Sequence, residues 1–423
     1  LNRPHLALGM AGLADKETLK LYAAAHTRRA RRESRGADAA DAALAVPSVE
    51  FAERLPRNTT AASISLSLRV DAGQDRLARV NVRVNGVPLL GRRGLDVSAE
   101  RATSHSRTQD VPLEVGQNRI EVEAETSVGV RGIGRAAIVT RVGKQPPGAL
   151  HIIAIGVSDY REENDLRYAA KDSVDVADAL ARVAAPGAPV TRTVLRDGQV
   201  DRAAVLALRG QLVRTAVEDT VVMFVAGHGM LDGDGQYVFG THDVDFATGA
   251  RGVSFDELEG LLVDIPARRR LLLLDTCHAG ELDVEELAHI ERSPRAGARV
   301  VGRVVLTPKR GGPVDPRARA VAARALFTDL SRGSGVTVVA ASAGAEYSYE
   351  DGAIGNGVFS RALIDGLVGG QADRDANGTT RVSELVAYLS EIVSRQSDGF
   401  QVPQVRAVNR DLDFDLTPGR RAP

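Results

Sequence analysis

The pattern of hydrophobic and polar positions divides the chain into segments. Residues 47–143 contain short stretches in which apolar and polar side chains alternate, such as Ser63–Leu68 and Val80–Val84. A period of two predicts strands with one buried face, and Asn85-Gly86 predicts a tight hairpin. We therefore expect a small, antiparallel all-β sandwich over residues 47–143.

Residues 149–417 follow another pattern, in which continuous apolar runs alternate with segments of helical spacing. The four runs are Ala149–Val157, Thr220–Ala226, Arg270–Leu274 and Gly335–Ala341. Such runs are typical of strands buried on both faces, whereas Tyr168–Arg182 and Val200–Ala216 have the apolar spacing of helices. The alternation predicts a doubly wound α/β domain with a mostly parallel sheet.

The remaining segments flank these two units. Residues 1–46 are expected to form a helical segment and linker, and residues 418–423 a tail. The basic run Arg28–Arg32 is interpreted as a solvated helix face and not as a nucleic-acid site. Because the chain starts at Leu1 instead of Met, we expect a processed product or a fragment that lacks an upstream partner domain.

Composition narrows the class of protein. The 423 residues include 54 Lys and Arg and 55 Asp and Glu, and a net charge of −1 gives no argument for nucleic-acid or membrane partners. No apolar run approaches the roughly 18 residues of a spanning helix. The single cysteine, Cys277, excludes an internal disulfide and a Cys-rich zinc site. A cytoplasmic location is expected, since a reducing compartment is compatible with this usage.

Two reactive side chains follow neighbouring apolar runs. Gly227-His228-Gly229 comes after the second run, and Thr276-Cys277 comes after the third. Ligands of a doubly wound sheet bind at the carboxyl ends of its strands. A thiolate nucleophile needs a nearby base. Packing would explain either residue alone, but the two together predict a catalytic dyad.

These residues resemble the caspase-like cysteine peptidases, in which a Gly-flanked His precedes the Cys by about 50 residues. Ile155–Tyr160, Asp234–Phe239 and Gly357–Ser360 resemble further family segments over residues 149–417. Asp275–Gly280 is similar to the metacaspase and bacterial form Asp-x-Cys-His-x-Gly, with Ala where Ser is usual, and differs from the Gln-Ala-Cys-x-Gly of true caspases.

The resemblance implies a cysteine endopeptidase that acts on protein or peptide substrates. His228 and Cys277 would be the dyad, and the backbone amides of Gly229 and Cys277 would form the oxyanion hole. No cofactor would be required for the chemistry. The opening Leu1–Pro4 resembles the segment that joins an upstream WD40 propeller to such a domain in some bacterial proteins. The predicted sandwich resembles bacterial Ig-like modules in its strand pattern.

The resemblance also implies the substrate preference. In metacaspases two Asp residues line the S1 pocket, and they map onto Asp172 and Asp275. Two carboxylates favour a guanidinium or ammonium group, so cleavage after Arg or Lys is expected. The alternatives are a helix N-cap role for Asp172, a structural salt bridge for Asp275, and an Asp-selecting pocket built by Arg161 or Arg167.

A second acidic motif follows later in the chain. Residues 373–384 fit the EF-hand loop pattern position by position. The calcium ligands would be Asp373, Asp375, Asn377, the Thr379 carbonyl and Glu384. The alternative is a solvated acidic turn followed by a helix start. Bound Ca²⁺ would regulate the protein and would take no part in the chemistry.

Other readings remain open at this point. The segment Glu281–Ser331 is a candidate for self-cleavage at its basic residues, or an insertion that covers the site. The dyad could be silent in a caspase-like interaction module whose function lies in the sandwich. A different Cys–His acyl-transfer enzyme on the same scaffold is the third alternative.

Overall fold

The structure is a computed structural model, and part of the chain is described. The described residues are 46–132, 134–144, 148–161, 164–231, 237–276, 298–301, 334–342, 348–351, 354–399, 401–407 and 412–417. The predicted tail over residues 418–423 and nearly all of the predicted helical segment and linker over residues 1–46 lie outside them.

Alternating strands form an all-β unit. Its strands are β1 (Ser48–Phe51), β2 (Asn58–Thr59), β3 (Ser63–Asp71), β4 (Leu77–Val84), β5 (Val87–Pro88), β6 (Leu95–Asp96), β7 (Ser104–Pro112), β8 (Gly116–Thr126) and β9 (Arg135–Arg141). In the described residues, one sheet has the order β1-β3-β7 and the other the order β2-β9-β8-β4-β5, with β6 beside β4. Leu66, Val80 and Ile120 from these strands share one apolar core. The all-β prediction is confirmed, and the Ig-like assignment stays a prediction.

The predicted hairpin lies between β4 and β5. Val84 pairs with Val87, and the two residues between them, Asn85 and Gly86, have φ angles of 51° and 75°. Two consecutive positive φ angles match the right-handed twist of the flanking strands. The Asn-Gly signal therefore placed this turn correctly.

The second unit begins after β9. Its strands are β10 (Leu150–Gly156), β11 (Val190–Arg196), β12 (Thr220–Gly227), β13 (Gly229–Leu231), β14 (Tyr237–Phe239), β15 (Val253–Ser254), β16 (Arg269–Thr276), β17 (Ala298–Val301), β18 (Thr337–Ala340), β19 (Ser348–Asp351), β20 (Asn356–Gly357), β21 (Thr380–Arg381), β22 (Gln404–Ala407) and β23 (Asp415–Thr417). Its helices are α1 (Ala169–Arg182), α2 (Arg202–Ala207), α3 (Arg209–Leu212), α4 (Phe255–Leu262), α5 (Val358–Val368) and α6 (Val382–Gln396).

The main sheet is buried on both faces. Within the described ranges its order is β11-β10-β12-β16-β18-β22. The first five strands are parallel, and β22 runs antiparallel to β18. Ile153 and Ile155 of β10 join a core with α2, α3 and α4, whereas Ile152 and Ala154 join a core with α1, α5 and α6. The prediction of a doubly wound, mostly parallel sheet is confirmed.

Two local predictions differ from the structure. The single helix expected over Val200–Ala216 is split at Leu208 into α2 and α3. Gly210 lowers the helix propensity at this point, and the Arg209 guanidinium donates to the Leu261 carbonyl (3.0 Å), which ties α3 to α4.

The second difference lies in the segment Glu281–Ser331, where no regular period was found. It contains strand β17, which pairs antiparallel with β19. Arg299, a candidate for self-cleavage, is one of the paired residues and lies opposite Glu350. The other candidate basic residues of this segment are outside the described residues.

The β-sandwich contacts the amino end of the main sheet. Among the described residues, three ion pairs join the two units, Arg141–Glu218 (3.1 Å), Arg269–Glu114 (3.3 Å) and Arg92–Glu259 (2.8 Å). Glu218 lies two residues before the start of β12, and Arg269 is the first residue of β16. The carboxyl ends of the same strands lie at the opposite edge, so the sandwich contacts the edge away from the predicted dyad.

Among the described helices, none combines the length and the apolar character that crossing a membrane requires.

Candidate active site

Strands β12 and β16 bring the two dyad segments to one edge of the sheet. The strands are adjacent and parallel, and their last paired residues are Gly227 and Thr276. His228 and Cys277 are the next residues along the two chain segments. Cys277 itself lies outside the described residues. The expectation that the two segments leave the sheet side by side is confirmed by the register.

His228 is enclosed by two aromatic rings and a backbone carbonyl. Its side chain and backbone are only 4% exposed. The imidazole centroid lies 4.9 Å from that of Tyr160 and 5.5 Å from that of Phe246. Nε2 lies 2.7 Å from the carbonyl oxygen of Asn164. Because a carbonyl can only accept, Nε2 carries the proton in the neutral ring, and the lone pair is on Nδ1.

This environment keeps the imidazole neutral. Burial in an apolar site disfavours the charged form and lowers the pKa of His228 from 6.5 to about 4, although the Asn164 carbonyl and the Asp165 carboxylate act in the opposite direction. At pH 7 the residue can therefore accept a proton at Nδ1, as a general base requires.

The lowered pKa predicts a specific dependence of stability on pH. The unfolded state takes up a proton at His228 below about pH 6.5, whereas the folded state resists it until about pH 4. The free energy of unfolding should therefore fall by roughly 3 kcal/mol as the pH drops through this window. Urea unfolding of Cys277→Ala and of His228→Gln/Cys277→Ala at several pH values measures this contribution. If the free energies of unfolding of the two variants changed in parallel with pH, the contribution of His228 would be refuted.

Two buried carboxylates meet at the start of α5. Asp172, in the first turn of α1, is 2% exposed, and Asp275, near the end of β16, is 8% exposed. Asp172 Oδ1 accepts from Asn356 Nδ2 (2.6 Å), and its Oδ2 accepts from the Gly357 N–H (2.9 Å). Asp275 Oδ2 accepts from the Ser360 hydroxyl (2.6 Å). The structure thus brings together the two acids that the sequence assigned to one pocket.

Gly357 lies between these carboxylates. A Cβ atom at this position would lie 3.0 Å from Asp172 Oδ2 and 3.1 Å from Asp275 Oδ2. Both distances are tighter than ordinary van der Waals contact, so a side chain here would press against both acids. Glycine therefore allows the backbone to reach the point that the two carboxylates share.

The structure contradicts one of the alternatives, the N-cap role of Asp172. The N-cap of α1 is Tyr168, and Asp172 lies inside the helix, so the N-cap explanation is wrong. Arg161 and Arg167, the candidates for an Asp-selecting pocket, are both exposed. That alternative stays open, and the two carboxyl groups buried at the start of α5 belong to Asp172 and Asp275.

A comparison with protein families identifies the family of this chain. A family model described as the caspase domain matches residues 150–414, more than half of the chain. The chain belongs to the caspase-domain family of peptidases. No curated protein sequence matches it. The matched region includes His228, Cys277, Asp172 and Asp275. The resemblance to caspase-like peptidases is confirmed, and the metacaspase form stays a prediction.

Solved structures show more distant likenesses. A protein of Geobacter sulfurreducens, solved as a structural genomics target, is 16% identical, with a TM-score of 0.39, over 61% of this chain and 92% of that chain. Fibronectin(III)-like modules of CbhA from Clostridium thermocellum are 16% identical, with a TM-score of 0.18, over 23% of this chain and 47% of that chain. Since both TM-scores are below 0.5, the family assignment rests on the family model.

The predicted oxyanion groups are only partly described. Gly229 is the first residue of β13 and pairs with Phe239 of β14. Cys277, whose amide is the second predicted donor, is outside the described residues. The oxyanion role of both amides stays a prediction.

Several residues of the caspase domain site were not assigned a role from the sequence. They are Tyr160, Asn164, Tyr237, Phe246, Asn356 and Ser360. Three of them, Tyr160, Tyr237 and Ser360, lie within the segments that carry the family resemblance. Their position in these segments could have marked the three residues as candidates, but the atoms that they contact are determined by the fold.

The acidic loop after α5 gathers part of the predicted calcium ligands. Carboxylate oxygens of Asp373, Asp375 and Glu384 lie within 4.8 Å of one another. Asn377 Oδ1 instead accepts from the Thr379 N–H (2.8 Å). Glu384 Oε2 accepts from the Arg381 N–H (2.9 Å) at the start of α6. Hard oxygen donors suit Ca²⁺, and binding would have to exchange some of these internal hydrogen bonds for the ion.

Proposed function

We propose that this caspase domain is a metacaspase-like cysteine endopeptidase that cleaves proteins after Arg or Lys. The observation that carries the proposal is the state of His228. The ring is buried, it is neutral at pH 7, and its Nε2–H is fixed on the Asn164 carbonyl. The remaining ring nitrogen is a base at the strand end next to the one that leads to Cys277.

In the proposed reaction, His228 Nδ1 accepts the thiol proton of Cys277. The thiolate sulfur forms a bond to the substrate carbonyl carbon, and the oxygen becomes an oxyanion that the Gly229 and Cys277 amides would stabilise. Collapse breaks the C–N bond, and His228 returns the proton to the leaving amine. Water then attacks the thioester with His228 as the base, which releases the acid and restores the thiol.

The acid pair supplies the proposed preference for a cationic side chain. Asn356, Gly357 and Ser360 donate hydrogen bonds to the carboxylates of Asp172 and Asp275 and thereby orient them. Two like charges held close together in a buried site repel each other. A substrate guanidinium or ammonium would relieve that repulsion and could bind in a forked geometry.

The deciding experiment is hydrolysis of matched fluorogenic peptides with Arg, Lys or Asp before the scissile bond. We expect cleavage of the Arg and Lys peptides and none of the Asp peptide. Cleavage of the Asp peptide alone would keep the enzyme class and refute the acidic pocket. Complete inactivity toward all three, with an intact thiol, would favour the interaction-module reading.

Calcium binding at residues 373–384 is a separate part of the proposal. We expect titration calorimetry with CaCl₂ to show one site, because three carboxylates already lie within 4.8 Å of one another. Asp373→Asn/Asp375→Asn should abolish this signal and leave Arg-peptide hydrolysis without Ca²⁺ unchanged. If CaCl₂ gave the same heats with the wild type as with the double variant, the loop would be only an acidic turn.

A further inference from the structure

Two buried tyrosine hydroxyls bond to the chain segments that carry the proposed dyad. Tyr160 Oη accepts a hydrogen bond from the backbone N–H of His228 (2.9 Å). Tyr237 Oη is 2.8 Å from Oγ1 of Thr276, the residue directly before Cys277. We propose that Tyr160 and Tyr237 are positioning residues that set the relative placement of the two dyad members. The inference rests on the proposed function, and it gives Tyr160 and Tyr237 a role in the proposed active site.

Tyr160 fixes His228 in two ways. The last ladder pair between β12 and β16 is Gly227 with Thr276, so His228 follows the end of the ladder, and Tyr160 supplies the acceptor for its buried N–H. The ring of Tyr160 also packs against the imidazole. A buried N–H left without a partner is costly, so the hydroxyl and the ring together restrict both the backbone and the side chain of the base.

The glycine before the base makes this approach possible. A Cβ atom at Gly227 would lie 2.8 Å from Tyr160 Oη and 3.0 Å from the ring of Phe239. The φ angle of Gly227 is 149°. The hydroxyl therefore reaches the His228 amide through space that any larger residue at position 227 would occupy.

Tyr237 links the thiol-bearing segment to the base-bearing segment. Its strand β14 pairs with β13, which begins directly after His228, and Tyr237 itself lies opposite Leu231. Its hydroxyl bonds to the fully buried Thr276 at the end of β16. One side chain thus connects the continuation of β12 with Thr276, the last residue of β16.

The test compares Tyr160→Phe and Tyr237→Phe with the control Tyr388→Phe in the full chain. Tyr388 is also buried, and its hydroxyl donates to Gln371 Oε1 at the same distance of 2.8 Å, but it lies on helix α6. We expect each site variant to lower kcat for the Arg peptide by about ten-fold or more, with KM nearly unchanged. The concentration of active sites is measured by titration with a thiol-reactive peptide inhibitor, which separates this effect from loss of folded protein.

A second readout does not require peptide hydrolysis. Cys277 is the single cysteine, so the rate of its alkylation by iodoacetamide against pH reports one thiol. In the site variants this profile should move toward that of an unactivated thiol, whose pKa is about 8.5, whereas Tyr388→Phe should follow the wild type. Profiles and kcat values equal to those of Tyr388→Phe would overturn the inference. A wild type that cleaves no peptide would overturn the proposed function, while the alkylation profiles would still decide the role of the tyrosines.

The bond from Tyr237 to Thr276 can be tested on its own with a double-mutant cycle. Tyr237→Phe and Thr276→Val each remove one hydroxyl of the same pair. We expect the double variant to lose little more kcat than either single variant, because one interaction is removed in all three. Fully additive losses would show that the two hydroxyls act separately and would refute the link.

Discussion

Replacement of Cys277 by Ala is expected to lower kcat/KM for the Arg peptide by at least about 10,000-fold, and His228→Gln should have an effect of similar size. The first change removes the proposed nucleophile, and the second removes the Nδ1 base that the Asn164 carbonyl orients. Because the two residues would act as a unit, the double variant should be no less active than either single one.

His151→Gln is the matched control for this prediction. His151 lies near the start of β10, at the amino end of the sheet, and its Nε2 is 3.0 Å from Asp219 Oδ2. It therefore has a comparable hydrogen bond at the opposite edge, and its replacement should leave kcat/KM within about three-fold of the wild type. If Cys277→Ala retained activity and had the thermal stability of the wild type, the proposed dyad would be refuted.

The second large effect is expected at the acid pair. Asp172→Asn and Asp275→Asn should each lower kcat/KM for the Arg peptide by about 100-fold, since each removes one charge from a buried cation site. Asp172 should be the more sensitive position, because its two oxygens accept from Asn356 and from the Gly357 N–H. In Asp172→Asn, the new side-chain NH₂ group would face either the Asn356 amide or the Gly357 N–H, and two donors cannot bond to each other.

Asp175→Asn is the control for the loss of negative charge. Asp175 Oδ2 accepts from the same Asn356 amide (2.8 Å), but the side chain is also paired with the exposed Lys171. Its replacement should change kcat/KM by no more than about three-fold, as expected for a surface charge. Equal losses at Asp172, Asp275 and Asp175, or equal losses for Arg and uncharged peptides, would contradict a cation-selecting pocket.

The position of the sandwich bears on both experiments. Its ion pairs with Glu218 and Arg269 lie at the amino end of the main sheet, and the proposed dyad lies at the carboxyl end. Variants of the site therefore change no described contact between the two units. A loss of thermal stability in these variants would have its origin within the caspase domain.

The sequence was sufficient to predict four of the six strands described in the main sheet, whereas β11 and β22 were not predicted. Continuous apolar runs such as Thr220–Ala226 and Arg270–Leu274 report burial on both faces, because a strand covered by helices has no solvated side. The residues that follow a parallel strand must lie at its carboxyl edge, so the placement of His228 beside the segment of Cys277 followed from the order of the runs. Hydrophobic periodicity, however, did not predict the break between helices at Leu208 or the short strand β17.

The site itself required contacts between distant parts of the chain. Asn164 lies 64 positions before His228, and Asn356 lies 184 positions after Asp172. Hydrophobic periodicity reports only which face of an element is buried and carries no information about which polar atom a loop will bring to it. The sequence by itself determined the four central apolar strands, their carboxyl ends and the reactive residue types. The tertiary structure alone decided that His228 is neutral with its proton on Nε2 and that Asp172 meets Asp275 at Gly357, because burial and long-range hydrogen bonds, which fix protonation and orientation, exist only once the chain has folded.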